Sequence, residues 1–311
     1  MKHLFIINPA AGKYDHTTEY ATTVERIGKR HGLEYEIALS TEPGACERLA
    51  RAAAMSGEEL RIYACGGDGT LNEVVNGTAG FPNVAVTHFP GGSGNDFIKI
   101  FSETEPFHHL ERLLDCEEAE LDLIRCNGRY AVNILSMGLD ARVGTEMAKY
   151  KHLPLVSGTG AYVLSLGVNL MKGLSQRFVI RLDDDAEAID GQQTLVCVCN
   201  GRWYGGGFNP VPDAEPDDGI LDVLVVKKLS LARVSSLLKK YQQGRYREVP
   251  EAILHRRCRA VTIGCDKPSV VNVDGEALFT TEARIEVVPR ALRFFYPKGL
   301  GYSAAKFTET T

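Results

Sequence analysis

Over about the first 120 residues, apolar runs of strand length alternate with stretches whose apolar residues recur at helical spacing. Leu4–Ile7 is a short unbroken run, and Tyr14–His31 carries Tyr20, Val24 and Ile27 on one helical face. Tyr35–Leu39 reads as a second strand and Glu42–Met55 as a second helix, with Pro43 near its start. Leu60–Cys65 and Val84–Phe89 are further strands, each followed by a glycine-rich loop that opens toward a helix. Such alternation predicts a parallel sheet with helices on both faces, and ligands in such sheets sit at the carboxyl ends of the strands.

Beyond about residue 120 strand-like runs dominate: Ala131–Leu135, Arg177–Leu182, Thr194–Cys199, Leu221–Val226, Ala260–Gly264, Val270–Val273 and Arg284–Val288, separated by Gly, Asp and Pro. The pattern predicts an antiparallel, β-rich, sandwich-like domain interrupted by helices near Tyr162–Leu174 and Leu231–Gln243. The expected organisation is an α/β, doubly wound domain over residues 1–122, a β-rich domain over 123–291, and a tail from Leu292 to Thr311 folding back on the first domain.

The 311 residues suffice for two cores, and 44% hydrophobic with 24% charged residues is a globular balance. A net charge of −5 speaks against a nucleic-acid partner. Eight cysteines form no CxxC pair and no zinc spacing. Cys197 and Cys199 share one side of a strand and read as small buried apolar residues, so a reducing, cytoplasmic setting is expected. No secretory signal is visible, and no uncharged apolar run reaches the roughly 18 residues of a membrane span, so any membrane contact is expected to be peripheral.

Four loops could carry chemistry. Asn8-Pro9-Ala10-Ala11-Gly12-Lys13 follows the first strand and sets small residues and a lysine where a phosphate could sit; it lacks Walker A spacing. Gly66–Gly77 reads GGDGTLNEVVNG: Gly66 and Gly67 let the backbone bend sharply, Asp68 and Thr70 suit a helix start, and Asn76-Gly77 suits a helix end. Free N–H groups and the positive end of a helix there favour phosphate. A carboxylate in such a loop repels phosphate unless a cation lies between them, which Mg2+ would provide. Pro90–Phe97, PGGSGNDF, repeats the logic at the neighbouring strand end. The acidic stretch Pro212–Gly219 reads either as a solvated turn or as a hard-cation site, and Val273-Asp274-Gly275-Glu276 as a hairpin turn or as a source of carboxylates.

Taken in order from residue 8 to residue 276, these stretches resemble the lipid kinases with a diacylglycerol kinase catalytic domain, which include soluble bacterial diacylglycerol kinases, YegS-like proteins, sphingosine kinases and ceramide kinases. GGDGT alone is shared with NAD kinases; Asn72-Glu73, Asn76-Gly77 and SGNDF favour the lipid kinases. The resemblance implies a nucleotide-binding domain of the NAD kinase and phosphofructokinase kind, a β-rich lipid-side domain, and ATP in the cleft. It implies ATP contacts on Asn8, Pro9, Ala10, Ala11 and Gly12, on Thr41, on Gly66, Gly67, Asp68, Gly69, Thr70, Leu71 and Asn72, and on Ser93, with Lys13 neutralising phosphate charge. It also implies a structural Mg2+ held by the Asp218 carboxylate and the carbonyls of Glu215 and Ile220, with Asp122 supporting that region.

On this reading the Asp68 loop and the loop carrying Asn95 and Asp96 align the γ-phosphate, and a carboxylate of the VDGE turn accepts the lipid hydroxyl proton. Asp274 and Glu276 both remain candidates for that base. The expected reaction is ATP-dependent phosphorylation of diacylglycerol to phosphatidic acid. The alternatives are another acceptor (a sphingoid lipid, phosphatidylglycerol or NAD) or a silent lipid- or nucleotide-binding protein. The lipid is met at the membrane surface, with candidate anchors at Lys149, Lys151 and His152, at Arg202, Trp203 and Tyr204, and at Arg245, Tyr246 and Arg247; ordinary solvated charge explains each cluster equally well. An exposed sheet edge could support a homodimer.

Overall fold

The computed structural model describes residues 1–150, 173–183 and 185–302. The first domain contains β1 (Lys2–Ile7), α1 (Thr17–His31), β2 (Tyr35–Leu39), α2 (Ala45–Ala54), β3 (Leu60–Gly66), α3 (Asp68–Thr78), β4 (Val84–Pro90) and the short α4 (Leu110–Leu114). Its strands run in the order β4-β3-β1-β2, all parallel. Phe5, Ile6, Ile7, Ile62, Tyr63 and Val86 are fully buried, the signature of strands covered on both faces.

The second domain holds β5 (Cys116–Cys126), β6 (Arg129–Ala131), β7 (Ile134–Gly138), α5 (Leu139–Tyr150), β8 (Gln176–Leu182), β9 (Ile189–Cys199), β10 (Leu221–Lys227), α6 (Leu231–Gln242), β11 (Ile253–Cys258), β12 (Ala260–Val273) and β13 (Glu276–Pro297). These strands pair antiparallel. Val196 and Val198 of β9 enter a core shared with Phe178, Ile180, Val223 and Val271. The alternate residues Leu195, Cys197 and Cys199 enter another, beneath α6. Both cysteines are therefore buried apolar side chains, and all eight are free thiols.

The expected α/β plus β-rich architecture is the one observed, and its departures from the sequence reading are local. The run Ala131–Leu135 is not one strand: Val132 and Asn133 stand between β6 and β7, and their N–H groups leave the ladder to reach Asp274. Ala260–Gly264 and Val270–Val273 join into the single β12, with a register shift between Gly264 and Ser269. β13 continues through the expected boundary at 292. Its second half pairs with β4 in parallel and with β5, and sets Leu292, Phe294 and Phe295 in the first core. α3 does not end at Asn76-Gly77 but continues to Thr78. Gly77 faces α2, where a Cβ would stand 2.5 Å from the Glu47 carbonyl oxygen, and Asn76 reaches across to Tyr130. The helix expected near Tyr162–Leu174 lies outside the described residues up to 172, as does the tail beyond Tyr302.

Candidate active site

The loops after β1, β3 and β4 meet at the carboxyl ends of three adjacent strands. Contact between them explains their glycines. A Cβ on Gly92 would stand 2.5 Å from Gly67 Cα, one on Gly67 would stand 3.2 Å from Gly92 Cα, and one on Gly12, at φ 81°, would collide with the Gly91 carbonyl oxygen. Asn8 donates from its amide to Thr70 Oγ1 at 3.0 Å and accepts the Ala10 N–H at 3.1 Å, tying the first loop to α3. Buried His88 bonds the Gly66 carbonyl through Nε2 at 2.8 Å. Burial lowers its pKa to about 4, so the neutral ring donates there.

Among the expected nucleotide contacts, Ala10, Gly12, Lys13, Thr41 and Ser93 are exposed along the loops and Gly69 in the first turn of α3. Leu71 and Asn72 turn inward and present no side chain to a ligand. Leu71 belongs to the first core, and Asn72 donates its amide to the Tyr130 carbonyl at 3.0 Å. Asn95, at φ 49°, also serves its own loop, exchanging hydrogen bonds with the Gly92 peptide at 2.9 and 3.2 Å. Glu73 accepts the N–H groups of Gly44 at 2.9 Å and Cys46 at 3.0 Å, so it fixes the loop that carries Thr41.

The two loop acids lie together. Asp68 Oδ1 accepts the Asp96 N–H at 2.5 Å, while Asp96 binds Lys99 Nζ at 2.5 Å and accepts the Gly206 N–H of the second domain at 2.8 Å. Burial, then the charge of Asp96, raises the pKa of Asp68. Both oxygens of Asp96 and one of Asp68 are thus engaged, by Lys99 and by backbone N–H groups.

The VDGE turn divides its two carboxylates. Asp274, at φ 48°, points inward and accepts three N–H groups: Val132 at 2.6 Å, Asn133 at 3.1 Å and Ile134 at 2.8 Å. Burial, outweighing those bonds, raises its pKa to about 6, and the charge of Asp68 adds to the rise. Glu276 is exposed.

Asp122 organises the acidic turn. It accepts the N–H groups of Gly219 at 2.7 Å and Arg290 at 2.8 Å, and its own N–H donates to the Pro216 carbonyl at 2.7 Å. Beside that turn lies a cavity of about 570 Å3 lined by Glu117, Glu215, Asp217, Asp218, Tyr296 and Tyr302 among others. Among the described residues no three His, Cys, Asp or Glu side chains converge as a metal cage. The expected set of one carboxylate and two carbonyls is of another kind; of its residues Glu215 and Asp218 line this cavity and Ile220 does not. Asp218 accepts the Ile220 N–H at 3.0 Å and pairs with Arg257, which would compete for that carboxylate.

Of two expected surface anchors, one has its arginine buried and the other has its arginines exposed but paired. Arg202 is buried and donates to the carbonyls of Ala214 at 2.8 Å and Ile100 at 3.2 Å, and Tyr204 donates to Asp140 at 3.0 Å. Arg245 pairs with Glu248, Arg247 with Asp213, and Tyr246 is buried. Lys151 and His152, with the side chain of Lys149, lie outside the described residues.

The family described as diacylglycerol kinase catalytic domain matches residues 2–126, and that described as YegS C-terminal NAD kinase beta sandwich-like domain matches residues 133–296. A Staphylococcus haemolyticus protein whose name assigns it as a lipid kinase is 30% identical over 250 residues, 80% of each chain. A Staphylococcus aureus protein named in the same way is 26% identical over 235 residues, 75% of each chain. A crystal structure of a diacylglycerol kinase from Bacillus anthracis superposes with a TM-score of 0.68 at 21% identity, covering 96% of this chain and 97% of the other, and so shares the fold.

Proposed function

Since the chain belongs to the lipid kinases that join a diacylglycerol kinase catalytic domain to a YegS C-terminal domain, we propose that it transfers the γ-phosphoryl group of ATP to the free hydroxyl of diacylglycerol, giving phosphatidic acid. One observation carries the assignment of roles. Asp274, from the second domain, is held inward by three N–H groups and lies close enough to Asp68 of the first for their charges to interact.

In this reading the two glycine-rich loops and the loop after β1 hold the nucleotide, with Lys13 and the exposed loop N–H groups facing its phosphates. Asp68 and Asp96 would hold Mg2+, which when bound offsets phosphate charge and the charge developing on the leaving ADP. Asp274 takes the proton of the lipid hydroxyl. That oxygen forms its bond to the γ-phosphorus as the bond from phosphorus to the bridging oxygen of ADP breaks. A carboxylate with a pKa of about 6 is ionised at neutral pH, yet basic enough to accept a proton in the transition state.

The test is transfer of labelled γ-phosphate to a panel of diacylglycerol, ceramide, sphingosine, phosphatidylglycerol and NAD. Labelling of diacylglycerol is expected. Labelling of NAD alone, or of no acceptor with folded protein, would refute the assignment.

A further inference from the structure

Residues 227–240, KKLSLARVSSLLKK, hold Lys227, Lys228, Arg233, Lys239 and Lys240 and no acid, in a chain of net charge −5. Most of this segment is α6. Its inner side is settled: Leu237 and Tyr241 are buried with Val226 and Leu229 in the core beneath the helix. A flank beside that inner side carries Leu231, 60% exposed, and Leu238, 37% exposed. Seven residues separate them, so they stand on one line two turns apart. Lys227, Lys228 and Lys239 are exposed at the two ends of that line. Arg233 and Lys240 look toward Glu251 at 3.9 Å and Glu248 at 3.3 Å.

Behind α6 the fold connects to the cleft. Tyr241 Oη meets Tyr204 Oη at 3.0 Å, and Gly206, in the loop that Tyr204 opens, donates its N–H to Asp96.

We propose that this flank of α6 docks on an anionic lipid surface, its two leucines entering the interface and its lysines meeting lipid phosphates. Charge complementarity selects this occupant. A chain of net negative charge is repelled by an anionic bilayer except where its local charge is positive, so the bilayer would orient the molecule on α6. The inference rests on the reading that the acceptor is a lipid, and it replaces the Arg202–Tyr204 and Arg245–Arg247 clusters as the membrane contact.

The experiment is co-sedimentation with phosphatidylcholine vesicles, with and without phosphatidylglycerol. It uses the full chain, a Leu231→Ser/Leu238→Ser variant and a Lys227→Gln/Lys228→Gln/Lys239→Gln variant, with circular dichroism confirming their folds. The unaltered chain should bind the phosphatidylglycerol vesicles and release them in high salt. Affinity should fall roughly fivefold per lysine removed and also on loss of the leucines. Phosphorylation of a short-chain, monomerically dispersed diacylglycerol should be unchanged in both variants. Equal binding by all three proteins, binding of the unaltered chain to neither vesicle, or an equal loss on the short-chain acceptor would each overturn the proposal. Expected vesicle binding without phosphorylation of any lipid would leave the docking face standing and remove the catalytic assignment.

Discussion

Asn76 and Tyr130 grip each other across the two domains: the Asn76 amide donates to the Tyr130 carbonyl at 2.9 Å, and its oxygen accepts the Tyr130 N–H at 2.9 Å. A side chain of the nucleotide-loop helix thus stands in for a neighbouring strand. Two residues further along the chain, Val132 begins the run of N–H groups that holds Asp274. The helix of the Asp68 loop and Asp274 are joined through five consecutive residues, 130–134.

Asn76→Ala would leave the Tyr130 N–H without its acceptor, while Asn72 still serves the Tyr130 carbonyl. The expected stability loss is about 1–3 kcal/mol, read as a shifted denaturant midpoint. Because the grip secures the support of Asp274 rather than the nucleotide loop, kcat should fall more than KM for ATP rises. The reverse split would remove this positioning role.

The pH dependence follows from Asp274. The base must be ionised, so kcat/KM should fall as the pH drops through about 6. Asp274→Asn should lower kcat by roughly 10²–10⁴-fold and abolish that limb, whereas Glu276→Gln should have little effect. The linkage sign is opposite for folding. A carboxyl raised from its ordinary value of about 4 to about 6 favours the folded state below about 4, and that contribution disappears as the pH rises through about 6.

The glycines of the loops separate by their neighbours. Gly92→Ala sets a Cβ 2.5 Å from Gly67 Cα, where only backbone could yield, so thermal stability and ATP affinity should both fall. Gly69 has nothing within 4 Å of a built Cβ and lies in the first turn of α3. Gly69→Ala should keep its stability, or gain up to about 1 kcal/mol from helix propensity. A weaker affinity for ATP in that variant would report nucleotide lying over this turn.

Glu73→Ala should act at a distance from the phosphates. It frees two N–H groups at the start of α2 and loosens the loop that holds Thr41. A loss of about 1 kcal/mol is expected, as for a missing helix cap, with KM for ATP raised and kcat nearly unchanged. Glu73→Gln, which keeps one acceptor oxygen, should fall between the two.

The alternation of apolar runs made the parallel sheet legible, because each buried strand must be apolar on both faces. The glycine loops were legible because strand-loop-helix context constrains them. The inward turn of Leu71 and Asn72 was not, since their neighbours in space, the first core and Tyr130, are remote in sequence. Nor could spacing show that Asp274 turns inward while Glu276 stays exposed; the inward turn depends on the N–H groups of residues 132–134, about 140 positions upstream. Arg202 and Tyr246 read as surface anchors because sequence conceals their burial, and Arg245 and Arg247, which are exposed, because it conceals their acidic partners.

β13 belongs to both cores, and that has a consequence for biogenesis. The strand that pairs with β4, through Arg293 and Phe294, lies about 200 residues after it and so emerges from the ribosome much later. At about 5–20 residues per second, roughly 10–40 s separate the emergence of β4 from that of its partner. During that interval the nascent first domain exposes an unpaired strand edge, beside aromatic residues awaiting Phe294 and Phe295. The first domain expressed alone would carry the open edge permanently.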